Sequence, residues 1–126
     1  MASLILIVDD NALNAILVSD YLTSKGYRTI VVNDGRNAIE LAGDLRPDLV
    51  LMDIQMPAMN GIEAIRRIRA DPHVRATPVI ALTALAMPGD RERCLNAGAN
   101  EYVSKPVRMR TLTEIIVRHL KIADSR

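Results

Sequence analysis

Residues 49–57 read Leu49-Val50-Leu51-Met52-Asp53-Ile54-Gln55-Met56-Pro57, and they predict the central element of the fold. Four consecutive apolar residues, entered through Arg46-Pro47-Asp48, predict a short strand that is buried on both faces, as in a parallel sheet covered by helices. Asp53 stands where the apolar run stops, and Pro57 ends regular structure just beyond it. We therefore expect Asp53 at the carboxyl end of a central strand, where α/β sheets hold their ligands.

The composition is that of one domain with balanced charge. The 126 residues suffice for a core that needs no disulfide or structural metal. The chain has sixteen Lys and Arg residues and fifteen Asp and Glu residues. This balance argues against a nucleic-acid or membrane-surface binder, because those proteins concentrate positive charge. The apolar run at residues 4–8 is too short for a signal peptide or a membrane span. We expect a cytoplasmic protein with a free Cys94 and an aliphatic core.

Four further strand-like runs alternate with helical patterns along the chain. The runs cover residues 4–8, 28–32, 79–82 and 101–103, and each is followed by apolar residues at helical spacing. Asn11 is a good cap for the first helix, and Gly26 provides its end. The apolar residues predicted to share one face of that helix are Leu13, Ile16, Leu17, Tyr21 and Leu22.

Five strand-helix alternations predict an α/β fold, a doubly wound parallel sheet with helices on both faces. The order 2-1-3-4-5, the flavodoxin-like (βα)5 arrangement, fits best because strands one and three are the most apolar and the middle of the sheet is covered most completely. In that order the ends of strands one and three are neighbours, so that Asp9, Asp10 and Asp53 converge. Strands four and five bring Thr83 and Lys105 to the same edge.

The predicted cluster of three carboxylates calls for a cation. Crowded carboxylates repel one another and tend to take up protons unless a positive charge is present. Mg²⁺ meets this need, since it binds a few carboxylates together with water and phosphate oxygens. With the charge neutralised, Asp53 can attack a phosphoryl group as a carboxylate nucleophile while Lys105 and the Thr83 hydroxyl bind the transferred oxygens.

The chain resembles the receiver domain of two-component response regulators along essentially its whole length. Each motif alone is a weak signal, but together, in this order and each at a strand end, they are a strong one. The motifs are Asp9-Asp10 after strand one, Asp53 with Met56-Pro57 behind it, Thr83-Ala84 after strand four, Tyr102, and Lys105-Pro106 after strand five.

The resemblance implies a phosphoacceptor rather than an enzyme acting on other molecules. Asp53 is implied to accept phosphate from a histidine kinase or a histidine phosphotransfer protein, and the chain to catalyse only its own phosphorylation and slow autodephosphorylation. Asp10, Asp53 and the main-chain carbonyl of Gln55 are implied to bind Mg²⁺ directly, with Asp9 acting mainly through water.

The resemblance also implies a switch. Thr83 is implied to move toward the phosphoryl group while Tyr102 turns inward, which reshapes the surface of helix four, strand five and helix five for protein binding or phosphate passing. The Lys105-Pro106 bond is expected to be the family's cis peptide. Leu85, at a position where the family tunes hydrolysis together with Gln55, cannot orient water, so we expect a long-lived phosphoryl group.

Residues 9–14 and 86–92 are most similar to the receivers of hybrid kinases and of stand-alone phosphorelay regulators. Because only residues 123–126 follow the last helix, we expect one receiver domain over residues 1–126 with no output domain. The expected partners are a kinase or phosphotransfer protein and an unknown downstream protein, with no direct nucleic acid and no membrane. We expect a monomer or a weak dimer.

Three alternatives stay open at this point. A phosphatase of the haloacid dehalogenase type also places an aspartate after a strand, but it requires a second acidic residue where this chain has Gln55. A flavin or nucleotide binder on the same fold needs a phosphate loop after strand one, where Asp9 and Asp10 repel phosphate unless a metal intervenes. A degenerate receiver that serves only as a docking scaffold is the third. His73 and His119 are expected at the surface.

Overall fold

Five parallel strands form one sheet in the order β2-β1-β3-β4-β5, which confirms the predicted fold class and strand order. The computed structural model describes residues 2–55, 60–84 and 87–124. The strands are β1 (Leu4–Val8), β2 (Arg28–Val32), β3 (Leu49–Asp53), β4 (Val79–Thr83) and β5 (Glu101–Ser104). The helices are α1 (Ala12–Ser24), α2 (Gly35–Leu45), α3 (Gly61–Ala70), α4 (Asp90–Ala97) and α5 (Met109–Asp124).

Side-chain caps fix where the first three helices begin. In each, the cap residue has an extended main chain, and its side chain accepts a hydrogen bond from a main-chain N–H three residues later. This bond satisfies a donor that has no partner inside the helix. The pairs are Asn11 with Asn14 (3.0 Å), Asp34 with Asn37 (2.8 Å) and Asn60 with Glu63 (2.9 Å). Helix α4 begins instead after Gly89, whose φ of 84° is in the left-handed region that glycine adopts without strain.

The core lies in two layers, one on each face of the sheet. On one face Leu6 and Val8 of β1 pack under α2, α3 and α4, while Ile5 and Ile7 of the same strand pack under α1 and α5. Strands β3 and β4 are buried along their full length. Because both faces of the central strands are covered, polar side chains at this sheet concentrate at the strand ends.

The predicted apolar face of α1 is wrong for three of its five residues. Leu13 is 67% exposed, Ile16 is 53% exposed and Leu17 is 57% exposed. The buried stripe consists of Leu22, which the prediction included, and Ala15, which it did not; both lie on the other side of the helix from those three residues. An exposed apolar surface, which we call the α1 face (Leu13, Ile16, Leu17), therefore lies on this helix.

The expectation that His119 is a surface residue is also wrong. Its side chain is 12% exposed and its Nε2 lies 2.7 Å from Glu101 Oε2, the same oxygen that accepts a 2.9 Å hydrogen bond from Arg118. Burial alone would raise the pKa of Glu101, but these two partners hold it below its usual value. The contact ties α5 to the start of β5. His73 is exposed, as expected.

Candidate functional site

Two neighbouring strand ends bring the predicted acidic residues together. Strands β1 and β3 pair with Val8 opposite Met52, so the next residues along, Asp9 and Asp53, lie side by side. Together with Asp10, they present carboxylate oxygens within 4.8 Å of one another. Asp9 and Asp53 are each only 6% exposed, whereas Asp10 is exposed to solvent.

Asp9 is held in place by two hydrogen bonds. Its Oδ1 accepts from the main-chain N–H of Asn11 at 2.9 Å, and its Oδ2 accepts from Lys105 Nζ at 3.2 Å. Lys105 follows β5 at the same edge of the sheet, and its side chain is 19% exposed. The lysine therefore stands as a fixed positive charge beside the acidic cluster.

Burial has a large effect on the acidity of Asp53. Removal from water raises the pKa of its carboxyl group from 3.8 to about 6, and the negative charge of Asp9 acts in the same direction. The main-chain N–H of Gln55, 3.0 Å from Asp53 Oδ1, and the charge of Lys105 oppose this rise. The ionised carboxylate is thus poorly compensated, and a bound cation would favour it.

Hard oxygen ligands at this spacing fit a divalent cation. Three carboxylates that lie within reach of one atom, one of them on the solvent side, match what Mg²⁺ takes from proteins. The raised pKa of Asp53 agrees with this, because burial disfavours its ionised form and a bound cation would favour that form again.

The end of β4 is held from both sides. Thr83 is fully buried, and its main-chain carbonyl accepts a 2.7 Å hydrogen bond from the N–H of Lys105. On the other side, the N–H of Ala84 donates to the side-chain Oε1 of Gln55 at 3.2 Å. Thr83 therefore lies between β3 and β5 at the level of the acidic cluster.

Tyr102 faces the interior. Its ring packs against the core layer under α4, and its hydroxyl oxygen is buried with no hydrogen-bond partner in the part of the chain that the structure describes. Burial, followed by the charge of Asp90, raises the pKa of this phenol.

The Lys105-Pro106 peptide bond is cis. The predicted roles of Met56, Pro57 and Leu85 concern residues outside the described ranges.

A cavity of about 430 Å³ opens beside the acidic cluster, between α1 and α5. Its polar end is formed by Asp9, Asn14 and Lys105, and the rest is mostly apolar. Leu17 of the α1 face lines it from one side and Met109 of α5 from the other. The acidic cluster and the α1 face therefore adjoin the same depression.

Sequence patterns did not reveal three of these features: the hydrogen bond between Gln55 and Ala84, the ion pair of Lys105 with Asp9, and the exposure of the α1 face. Strand pairing places residues at strand ends near one another, but side-chain partners depend on rotamers that spacing does not determine. The sequence did place Asp9, Lys105 and Gln55 at the site, but not their partners.

This arrangement, a doubly wound sheet with acidic residues, a threonine and a lysine at adjoining strand ends, defines the class of phosphoacceptor domains with a flavodoxin-like fold. The chain belongs to the response regulator receiver domain family, whose model matches residues 5–117. It is 42% identical over 120 residues to the polar-differentiation response regulator DivK of Brucella anthropi, across 95% of this chain and 98% of that protein. The DivK proteins of Brucella ovis and Brucella suis show the same identity.

Solved structures give the same result. The receiver domain of a sensor histidine kinase from Pseudomonas aeruginosa, crystallised with a magnesium ion in its active-site cleft, is 42% identical and superposes with a TM-score of 0.89 over 96% of this chain and 99% of that one. A CheY-like receiver domain protein from Methanospirillum hungatei is 27% identical, with a TM-score of 0.94 over 99% and 98% of the two chains. Among the described residues, no helix has the length and apolar character needed to cross a bilayer.

Proposed function

We propose that this receiver domain takes a phosphoryl group onto Asp53 in a reaction that requires Mg²⁺. The observation that carries the proposal is the convergence of Asp9, Asp10 and Asp53 within 4.8 Å, with Lys105 bonded to the first of them. These residues come from the ends of three different strands, and such a cluster serves no evident purpose in packing. Receiver relatives at 42% identity support the same conclusion.

The proposed metal ligands are Asp10, Asp53 and the main-chain carbonyl of Gln55, with Asp9 acting through water. Asp9 suits the indirect role because both its oxygens already accept hydrogen bonds, from Asn11 and Lys105. When bound, Mg²⁺ supplies positive charge that keeps Asp53 ionised and offsets charge on the incoming phosphoryl oxygens.

In the proposed step, a carboxylate oxygen of Asp53 attacks the phosphorus of a phosphohistidine. A P–O bond forms, the P–N bond breaks, and the electron pair of that bond returns to the imidazole nitrogen of the donor. The N–H of Gln55 orients the attacking carboxylate through Oδ1. Lys105 and the Thr83 hydroxyl bind the transferred oxygens, so the chain contributes positioning and electrostatic stabilisation.

The donor is a histidine kinase or a histidine phosphotransfer protein, and we propose that it docks on the α1 face. Leu13, Ile16 and Leu17 are more than half exposed, which is unusual for three neighbouring apolar residues. The cavity that Leu17 lines also contains Asp9 and Lys105, so a protein that delivers phosphate to Asp53 must cover this region.

Phosphorylation is proposed to act through Thr83 and Tyr102 on the surface of α4, β5 and α5. The buried hydroxyl of Tyr102 lacks a hydrogen bond within the described residues, so a change at the neighbouring end of β4 can supply or remove a partner. A downstream protein then binds this surface or receives the phosphate. Loss of phosphate by autodephosphorylation is proposed to be slow, and the chain to be a monomer or weak dimer.

Incubation with acetyl phosphate, with and without Mg²⁺, tests the proposal. We expect the intact mass of the wild-type chain to increase by one phosphoryl group only when Mg²⁺ is present. The variant Asp53→Asn should not react, whereas Asp44→Asn, which changes an exposed carboxylate of α2, should react as the wild type does. Phosphate on any residue other than Asp53 contradicts the proposal, as does turnover of phosphate esters.

A further inference from the structure

The side chain of Gln55 lies on the β4 side of the site, in an exposed position. Its Oε1 accepts a 3.2 Å hydrogen bond from the main-chain N–H of Ala84, the residue that follows β4. The main-chain N–H of the same glutamine donates to Asp53 Oδ1 at 3.0 Å. One residue thus contacts both the nucleophile and the end of the neighbouring strand.

The N–H of Ala84 is available because the pairing of β3 with β4 ends early. The last ladder contact is the 3.0 Å bond from Ile54 N–H to the carbonyl of Leu82. The carbonyl of Ile54, the next acceptor on β3, is taken by the N–H of Gly61 at 3.1 Å. Helix α3 begins so close that a Cβ on Gly61 would lie 2.5 Å from Ile54 Cα. The N–H of Ala84, which lies beyond the last ladder contact, therefore donates to a side chain.

A phosphoryl group on Asp53 would reach the same amide. Asp53 pairs with Leu82, and each residue adds about 3.3 Å along a parallel strand, so Ala84 lies just past the tip that Asp53 occupies. A phosphoryl oxygen is a stronger acceptor than a carboxamide oxygen because it is charged. Main-chain N–H groups at a strand end are suitable donors for it.

We propose that the Gln55 carboxamide oxygen takes the place of a phosphoryl oxygen. It accepts the hydrogen bond of the Ala84 N–H in the unphosphorylated protein and must move away when Asp53 is modified. This inference rests on the proposed function and adds a positioning role for the side chain, separate from the main-chain carbonyl proposed as a metal ligand. The carboxamide holds the end of β4 against β3 in the resting state and competes with the phosphoryl group for one donor.

Fluoroberyllate in the presence of Mg²⁺ tests the competition, since it occupies the place of a phosphoryl group without covalent chemistry. In Gln55→Met the side chain keeps its length but loses the acceptor, so we expect fluoroberyllate to bind about three- to tenfold more tightly, the range of one neutral hydrogen bond. Gln55→Glu keeps an acceptor and adds a negative charge, and it should bind more weakly than the wild type. All variants are compared at saturating Mg²⁺, so that a difference in affinity for the ion does not enter the comparison.

The Ala84 amide gives a second readout, because its chemical shift does not respond to a general loss of stability. In the NMR spectrum of the resting protein, Gln55→Met should shift this resonance and speed its hydrogen exchange, while Gln55→Glu should keep it protected. Asn96→Met, which likewise replaces a carboxamide by a thioether at an exposed position of α4, should do neither. Equal or weaker fluoroberyllate binding by Gln55→Met overturns the inference. Absence of binding by the wild type overturns the proposed function instead.

Discussion

Lys105 Nζ lies 3.2 Å from Asp9 Oδ2, and this ion pair joins residues 96 positions apart in the chain. Both side chains are largely buried, at 19% and 8% exposure, so water screens the pair less than it screens a surface salt bridge. The lysine offsets one of the three negative charges at the strand ends. The remaining charge of Asp10 and Asp53 is what a divalent cation would neutralise.

Replacing Lys105 should raise the pKa of Asp53 and slow phosphorylation. In Lys105→Met the positive charge that lowers this pKa is gone, so the carboxyl titration, followed by ¹³C NMR without Mg²⁺, should move above its wild-type value of about 6. Phosphorylation by acetyl phosphate should be about 10²-fold slower, the usual cost of one lost donor to a reacting oxyanion. Lys25→Met, which removes a lysine over the ring of Tyr21, should leave both values unchanged. A downward shift in Lys105→Met would contradict the role given to this charge.

Neutralising Asp53 should stabilise the protein without metal. Its pKa is near 6 when folded and 3.8 in the unfolded chain, so folding favours the protonated acid: the ionised group costs stability above pH 6, and the cost disappears below pH 4. From urea titrations, we expect Asp53→Asn to raise the free energy of unfolding by about 3 kcal/mol at pH 7.5 and by about 0.5 kcal/mol at pH 4.

Magnesium provides the control for this prediction. Saturating Mg²⁺ should stabilise the wild type more than Asp53→Asn, because the ion binds the folded site and the variant lacks one ligand. Asp44→Asn, on the exposed part of α2, should show no such pH dependence. If Asp53→Asn were equally stabilising at pH 4 and pH 7.5, the burial of an ionised carboxylate would not be its cause.

The sheet and the acidic cluster could be predicted from the sequence because they depend on main-chain geometry. An apolar run that ends in Asp9 and another that ends in Asp53 fix two strand ends, and parallel pairing in the order 2-1-3-4-5 makes those ends adjacent. Side-chain direction hardly matters at this level. Thr83 and Lys105 reach the same edge for the same reason.

Packing and pairing of individual side chains could not be predicted in this way. Leu13 and Leu17 repeat at helical spacing like core residues, yet the small Ala15 faces the sheet, because which stripe is buried depends on how the helix is rotated about its axis. The pairing of His119 with Glu101 joins two elements whose relative rotation the sequence does not state. The bond between Gln55 and Ala84 exists because α3 ends the ladder early, which is a tertiary effect.

A positive charge introduced on the α1 face should slow phosphorylation by a protein donor but not by acetyl phosphate. Leu13 is 67% exposed, so Leu13→Arg should fold normally. A phosphorylated histidine phosphotransfer domain that reacts with the wild type should react at least tenfold more slowly with this variant, because docking would bury an unpaired charge. The rate with acetyl phosphate should be unchanged. Leu45→Arg, at an exposed apolar position at the end of α2, is the matched control. Equal loss in both variants, or loss with acetyl phosphate, contradicts docking on this face.

Arg69 of α3 is a structural arginine at the other end of the sheet from Asp53. Its guanidinium donates to the main-chain carbonyls of Gly98 (2.8 Å) and Thr77 (2.6 Å) and to the side chain of Asn100 (2.6 Å). Its side chain lies so close to Gly98 that a Cβ there would come within 2.4 Å of it. The arginine therefore joins the end of α4 to the segments that lead into β4 and β5.

Arg69→Met should lower the free energy of unfolding by about 3 kcal/mol, because the main-chain carbonyls of Arg75, Thr77 and Gly98 lose a charged hydrogen-bond donor. Arg67→Met provides the comparison on the same helix: Arg67 is 57% exposed and its contact with Glu63 is a surface ion pair, so its removal should cost about 0.5 kcal/mol. Urea unfolding followed by circular dichroism measures both, since the chain has no tryptophan to report by fluorescence. Both variants should still take phosphate on Asp53 while folded. If the two substitutions lower the free energy of unfolding equally, the hydrogen bonds of Arg69 do not stabilise this end of the sheet.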